Sequence, residues 1–391
     1  MYQQLLNHSA DLKQLENDGY EVEIKEKHLL IHNVPYVTTL KVIQRGTFVS
    51  TLNHTNEKTL APETHVVFFS GDFPCDKNGN PIEKIRHETK GEVHGGISTQ
   101  HSFSNKPAGG FKNYYDKMTN YINIVSSPAF SIDNTVTAKT FKPIKVTEEE
   151  SIFNYFDSNS SRSGILELSE KFANEKVGII GVGGTGSYIL DLVSKTPVRE
   201  IHLFDGKKFV HHNAFRAPGA ASLSELENTP YKVDYFKNKY SNMHRGVHAH
   251  AYYLDSNNIS ILKMLTFVFI SIDDSGAKKV IIEFLKENKI NFIDVGMGIE
   301  VVDKKLRGTM RVTTGLFNKT DHISKRISFA DMPDDDYHKN IQTAELNALN
   351  AILAVIKWKK LLGYYHDYEQ EHNTYYDIDG NHITNDEKNN S

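Results

Sequence analysis

The sequence predicts an α/β protein: a Rossmann-like, mostly parallel sheet with helices on both faces over residues 146–391, preceded by a smaller α+β or β-rich domain over residues 1–145. Three observations carry this expectation. Short apolar strands alternate with helical segments beyond residue 150, a glycine-rich turn joins one such strand directly to a helix, and the chain before residue 140 is strand-like and turn-rich. At about 150 residues per domain the 391 residues suffice for two to three domains, and 39% apolar content fills more than one core.

In the first part, Tyr20–Ile24 alternates with period two, Leu29–Val34 follows a charged turn, and His65–Phe69 is a short apolar strand. Asn78-Gly79 is a hairpin-type turn pair. Gly95–Gly110, rich in Gly, Ser and Asn, reads as a loop before a helix over Tyr114–Val125. Thr147-Glu-Glu-Glu150 resembles a capping box, which places a helix start there and the domain boundary between Thr140 and Glu150. In the second part, strands are expected at Val177–Ile180, Glu200–Phe204, His248–Tyr253, Phe267–Ile272 and Asn291–Val295, with helices at Gly186–Leu192 and Gly276–Asn288. The run from Thr343 to Leu362 has helical spacing, with Gly363 as its stop. The polar, acidic tail after Asn373 is expected to be loosely held.

Composition excludes several function classes. Forty-five basic against 49 acidic side chains give a net charge of −4, which argues against a nucleic-acid binder. One cysteine, Cys75, leaves no intramolecular disulfide and no zinc site built on two thiolates. The most apolar stretch, Leu265–Ile272, is bounded by Lys263 and Asp273 and falls far short of the roughly 20 residues of a membrane span. The N-terminus lacks both the basic start and the apolar core of a signal peptide. A soluble, cytoplasmic protein is expected.

Gly181-Val-Gly-Gly-Thr-Gly186 follows a strand and opens a helix. The backbone there must turn tightly and approach a phosphate, which favours glycine at 181, 183, 184 and 186, and the helix start presents N–H groups to an anion. Asp205 ends the next strand, close to the roughly 20-residue offset of the acid that binds ribose hydroxyls. This much announces a nucleotide, and it is shared with nicotinamide dehydrogenases.

The stretch Phe204-Asp-Gly-Lys-Lys-Phe-Val-His-His-Asn-Ala-Phe-Arg216 resembles the segment after the second strand in the ubiquitin-activating enzyme family, the ThiF and MoeB group, in which an Asp is followed by Asn-x-x-Arg. The resemblance covers about residues 150–370. It implies that Asn213 and Arg216 serve the nucleotide, that Lys232 is the nucleotide lysine, that Asp273 holds Mg²⁺, and that Arg162 reaches across a homodimer to the partner's ATP. It further implies ATP-dependent adenylation of the C-terminal carboxylate of a ubiquitin-like protein ending in glycine, with a conjugating enzyme as a further partner. Adenylation also makes independent physical demands. Charge grows on the α-phosphate and on departing pyrophosphate, so fixed cations must surround it, and Arg162, Arg216 and Lys232 with Mg²⁺ on Asp273 meet that demand. The region 1–145 resembles an uncharacterised module that precedes adenylating domains in bacterial gene clusters with ubiquitin-like proteins, and is expected to bind a substrate or partner.

The chain departs from the family pattern in three ways. No cysteine follows the late strand, so no thioester forms on the adenylating domain. Ala217 stands where Gln is usual after the arginine, and Asp274 where Asn is usual. The acyl group then goes directly to an acceptor, to a hydroxyl of the late loop (Thr313, Thr314, Ser324 or Ser328), or to Cys75, whose turn is expected to be exposed. Two alternatives remain: an NAD-dependent oxidoreductase, supported by the glycine loop and Asp205, and a nucleotide-binding scaffold without turnover. His248-Ala-His250 with Ser271-Ile-Asp-Asp274 superficially matches a metalloprotease pattern, but the spacing is too long, and packing on one face of a strand accounts for the histidines. His211-His212 reads as a solvated loop pair.

Overall fold

The computed structural model describes residues 5–6, 8–55, 58–88, 91–144, 151–163, 165–329 and 341–388. The chain divides into two compact units, Met1–Val146 with Tyr155–Ile165, and Thr147–Asn154 with Leu166–Ser391. The expected capping box at 147–150 lies outside the described residues.

The first unit contains strands β1 (Glu21–Lys25), β2 (His28–Val37), β3 (Ile43–Thr51), β4 (Val66–Ser70), β5 (Arg86–Glu88), β6 (Glu92–His94), β7 (Ile97–Thr99) and β8 (His101–Ser104). Six form a sheet in the order β1-β2-β3-β4-β8-β5, and β6 pairs with β7. Every pairing is antiparallel. The segment 95–110, expected to be a loop, therefore supplies two strands: Ser102 and Phe103 are buried and alternate against β4. The helix Tyr114–Ile132 is capped by the Asn113 side chain, which accepts from the Asp116 amide at 2.8 Å, and it runs about two turns past its expected end, through Pro128. Its buried face (Met118, Tyr121, Ile122, Val125) closes a core with Phe48, Phe69 and Phe103 from the sheet. Asn78-Gly79 does form a tight turn, with the Asp76 carboxylate accepting from the amides of Asn78 and Asn80.

Cys75 is not exposed. It is wholly buried, its thiol donates to the Phe73 carbonyl, and burial pushes its pKa up. The flanking bridges to Val37 and Pro81 seat it inside the sheet margin, so it is not an accessible nucleophile.

The second unit contains β9 (Lys176–Ile180), β10 (Glu200–Phe204), β11 (Val247–His250), β12 (Phe267–Ile270), β13 (Asn291–Val302), β14 (Lys305–Gly315), β15 (Asn373–Asp377) and β16 (His382–Asp386). They form one sheet in the order β11-β10-β9-β12-β13-β14-β15-β16. The first five strands are parallel and the last three antiparallel. Alternation along the central strands explains why both faces are covered. Val177, Ile179, Phe267, Phe269 and Ile293 face a core closed by helices Gly184–Val193, Lys232–Tyr240 and Ala344–Leu361. Ile180, Val268, Ile270 and Phe292 face the opposite core, closed by helix Ser275–Glu287.

Two expectations fail here. The tail after Asn373 is not loose: it forms the hairpin β15–β16, and β15 pairs with β14 from Thr309↔Asp377 to Thr313↔Asn373. Its polar residues suit a half-exposed antiparallel margin, which needs no apolar run. The late loop is equally a strand. β14 buries Thr313 and Thr314, and the Thr313 hydroxyl is bonded to Asn373 Oδ1 at 2.7 Å. Among the described residues no helix is long and apolar enough to cross a membrane.

Trp358 is the largest wholly buried side chain of this unit, ringed by Phe172 at 5.1 Å and Phe269 at 6.0 Å between centroids. Trp358→Ala should cost about 3–5 kcal/mol, read as a loss of urea resistance in the unfolding transition of this unit. A cost below 1 kcal/mol, roughly that of an exposed site, would contradict its place in the core.

Candidate active site

At the carboxyl ends of β9, β10 and β12 lies a cavity of about 510 Å³, lined by Gly181, Gly183, Gly184, Asp205, Arg216, Lys232 and Asp273 among others. Open α/β sheets place ligand sites at that edge, where neighbouring connections diverge to opposite faces. The parallel register sets Ile180, Phe204 and Ile270 side by side, so the three following loops leave the sheet together.

The glycine loop is held by its neighbours. Gly181 has φ +84°, and a Cβ there would crowd the Ser271 carbonyl at 2.5 Å. Gly186 has no room for a Cβ beside the Gly181 carbonyl oxygen, and Gly184 abuts the Asn347 amide. Gly183 differs: nothing lies within 4 Å of the Cβ it lacks. Three glycines are therefore needed by the fold, while the fourth leaves open space at the start of helix Gly184–Val193, as a closely approaching phosphate requires. The Ser271 hydroxyl donates to Gly181 O at 2.6 Å and so ties the loop to the end of β12.

Asp205 is the pivot of the site. Its Oδ2 accepts from the Val182 amide at 3.1 Å, its Oδ1 from the Lys207 amide at 2.8 Å, and Lys232 Nζ stands 3.6 Å from Oδ2. The carboxylate oxygens retain lone pairs for a ribose hydroxyl. Lys232 opens helix Lys232–Tyr240 and is buried; that burial pulls its pKa below the ordinary lysine value, while Asp205 opposes the fall. Arg216 lines the cavity, and its Nε is buried with no hydrogen-bond partner, a donor that an incoming anion can satisfy.

Asn213 does not line the cavity. It is buried, and its Oδ1 accepts from the Val210 amide at 3.0 Å, closing the turn that presents Arg216 three residues on. Asp273 is exposed on the cavity wall, whereas the adjacent Asp274 accepts from the Ala277 amide at 2.8 Å and caps helix Ser275–Glu287. Asp274 is thereby a structural cap. Arg162 lies on the helix Ser158–Ser163, which groups with the first unit, and its side chain lies outside the described residues. Ser324 and Ser328 are exposed but do not line the cavity.

Sequence reasoning missed several lining residues. Asn347 and Asn350 come from helix Ala344–Leu361; Asn347 Oδ1 accepts from Thr185 Oγ1 at 2.9 Å, and Asn350 Nδ2 donates to the Gly296 carbonyl at 3.0 Å. Asn350 Oδ1 is buried without a partner. The signal available was two asparagines three residues apart on an otherwise apolar helix. Lys207, a third cation, and Tyr252 and Tyr253 also line the cavity.

The ThiF family model matches residues 160–389, and DUF6791, a domain of unknown function, matches residues 10–158. No curated protein matches the sequence. Among solved structures, the chain is similar to E. coli MccB with MccA-N7isoASN at 18% identity, covering 61% of this chain and 74% of that one, with a TM-score of 0.46. It is similar to E. coli MccB with ATP at 17% identity, covering 56% and 66%, TM-score 0.43, and to PaaA at 14% identity, covering 76% and 94%, TM-score 0.44. One expectation is corrected by this comparison. MccB is captured with the peptide MccA, not with a ubiquitin-like protein ending in glycine, and the conjugating-enzyme partner falls with it. The physical reason is that a loop suited to phosphate carries no information about which carboxylate would be activated, so it could not specify a ubiquitin-like protein.

The glycines make a paired test. Gly183→Ala should leave stability within about 1 kcal/mol of the parent yet weaken ATP binding tenfold or more, whereas Gly186→Ala should destabilise the fold by roughly 2 kcal/mol or more. Calorimetric ATP titration and urea unfolding read the two effects separately, and equal behaviour of the two variants would contradict the division of roles.

Proposed function

Because the chain belongs to the ThiF family of adenylyltransferase-type enzymes, we propose that it uses ATP to adenylate the C-terminal carboxylate of a peptide or protein, releasing pyrophosphate. The observation that carries this reading is the pairing of unfilled space at Gly183 with the unpartnered, buried Arg216 Nε on one cavity that also holds Lys207 and Lys232. A nicotinamide dehydrogenase keeps its pyrophosphate intact and has no need of such a cluster of cations.

In the reaction a carboxylate oxygen attacks the α-phosphorus, the bond from that phosphorus to the α,β-bridging oxygen breaks, and pyrophosphate leaves with the electron pair. Asp205 orients the nucleotide through its ribose. Amides at the start of helix Gly184–Val193 receive phosphate oxygens. Lys232 and Arg216 offset the charge that accumulates as the bond to pyrophosphate lengthens, and they act in a partly desolvated wall where such charges interact strongly. Mg²⁺ is proposed at Asp273, whose carboxylate on the cavity wall offers the oxygen ligand a hard cation takes. Bound there, Mg²⁺ would neutralise phosphate charge. Arg162 is proposed, as the resemblance implies, to reach the same nucleotide from a second copy of the chain in a homodimer.

Of the internal candidates for receiving the acyl group, Cys75 is buried, Thr313 and Thr314 are buried inside the sheet, and Ser324 and Ser328 are not among the cavity-lining residues. The activated product is therefore proposed to pass directly to an external acceptor.

ATP–pyrophosphate exchange with candidate peptide substrates tests the reading. Asp273→Ala and Arg216→Ala should each lower exchange at least a hundredfold with the fold intact by circular dichroism, and wild-type exchange in Asp273→Ala would remove the metal assignment. Mixing inactive Arg162→Ala with inactive Asp273→Ala should restore activity by forming one intact site per heterodimer. If the subunits demonstrably exchange and the mixture stays dead, Arg162 does not act across a dimer.

A further inference from the structure

Away from the nucleotide cavity, β10 and β11 carry a second cluster. Glu200 and His202 lie two apart on β10, and His248 and His250 two apart on β11, so period two puts all four on one face. The parallel register sets His202 directly beside His248 and Phe204 beside His250. Both histidines pack as expected, His250 stacking on Phe204 at 4.5 Å and His248 on His202 at 4.7 Å between centroids, but His248 also meets solvent, because β11 is the edge strand.

We propose that Glu200, His202 and His248 form a binding site for a divalent transition ion of the Zn²⁺ type. One ring nitrogen from each histidine and a carboxylate oxygen of Glu200 lie within 4.8 Å of one another, and among the described residues they are the group of three ligand-bearing side chains that converges in this way. Two imidazoles and a carboxylate are a normal zinc donor set, and the tetrahedral ion needs its ligand atoms about 3.3 Å apart, given bonds of about 2.0–2.1 Å. Rotation of the exposed His248 ring closes the difference, while His202 is held from both sides.

The hydrogen bonds around His202 support the assignment. Its Nε2 is 3.0 Å from Glu200 Oε2, and its Nδ1 is 2.9 Å from His250 Nε2. A neutral imidazole has one proton for these two contacts. Without a metal, Nε2–H donates to Glu200 while Nδ1 accepts from His250 Nε2–H; a bound cation would take the place of the proton between Nε2 and Glu200, and Nδ1–H would then donate to His250. His250 then occupies the place of the outer hydrogen-bond partner that orients metal-binding histidines. Lys176 Nζ, 2.8 Å from Glu200 Oε1, fixes the carboxylate by its other oxygen and leaves Oε2 turned to the histidines. The fourth position opens to solvent on the side of His248.

The test uses the full chain, stripped with chelator and dialysed against Zn²⁺, with metal content measured per chain and Co²⁺ absorption as a report of nitrogen ligation. One zinc per chain should remain in the wild type and be lost in His248→Ala, and His250→Ala should bind at least tenfold more weakly. Zn²⁺ should also raise the Tm of the wild type but not that of His248→Ala. Because His248 is exposed, its variant keeps the fold and decides the matter even if a His202 variant does not. Equal zinc content in wild type and His248→Ala overturns the site. None of these readings depends on adenylation, so they stand or fall separately from the proposed activity.

Discussion

A single buried carboxylate organises the cavity at the carboxyl ends of β9, β10 and β12. Asp205 receives the Val182 amide on one oxygen and the Lys207 amide on the other, with Lys232 beside it. Three segments that are separate in the chain (the glycine loop, the connection after β10 and the start of helix Lys232–Tyr240) are thereby pinned at one point. Removing that carboxylate would leave two amides and an ammonium facing a partly desolvated space, which is costly wherever water cannot replace the lost acceptor. The geometry of the cavity follows from this pin together with the parallel register of β9, β10 and β12.

The other wall depends on the antiparallel extension of the sheet. β13 and β14 pair over their whole lengths, from Phe292↔Gly315 to Val302↔Lys305, and β15–β16 adds a further hairpin. Near one end of this pairing, opposite Thr313, Asp294 is wholly buried between Lys278 Nζ at 3.0 Å and Arg311 Nη2 at 2.5 Å, and Arg311 also bonds Thr313. A buried carboxylate with two cationic partners is compensated, and it holds the strand whose next residues, Val295 to Met297, line the cavity. The same network takes the Thr313 hydroxyl out of reach of an acyl group. A segment that resembles a functional loop in its sequence is thus part of the scaffold.

The two histidine-bearing strands show how position in a sheet changes what a motif means. Within a central strand, alternate histidines must be packed or satisfied internally. At the edge, one of them meets solvent while its neighbours remain fixed by Glu200 and Lys176. The same four side chains then make a pre-oriented cluster.

Much of this protein was legible in its sequence because the signals are local. A strand, four glycines and a helix follow one another within Lys176–Val193, so Gly181–Gly186 could be read as a tight strand-to-helix turn, and the spacing to Asp205 reflects one helix and one turn. The alternation of apolar strands and helices likewise encoded the parallel core, since a strand buried on both faces must be apolar at nearly every position. What the sequence could not convey depends on pairing at long range. The polar tail becomes β15–β16 because β14 offers it an edge, and neither strand needs an apolar signature. Asn213 carries a nucleotide motif but closes the turn before Arg216, and Asn347 and Asn350 reach the cavity because their helix docks against helix Gly184–Val193. Strand order, edge or centre, and the docking of a distant helix are decided by contacts between residues far apart in the chain, and these are fixed only when the tertiary structure forms.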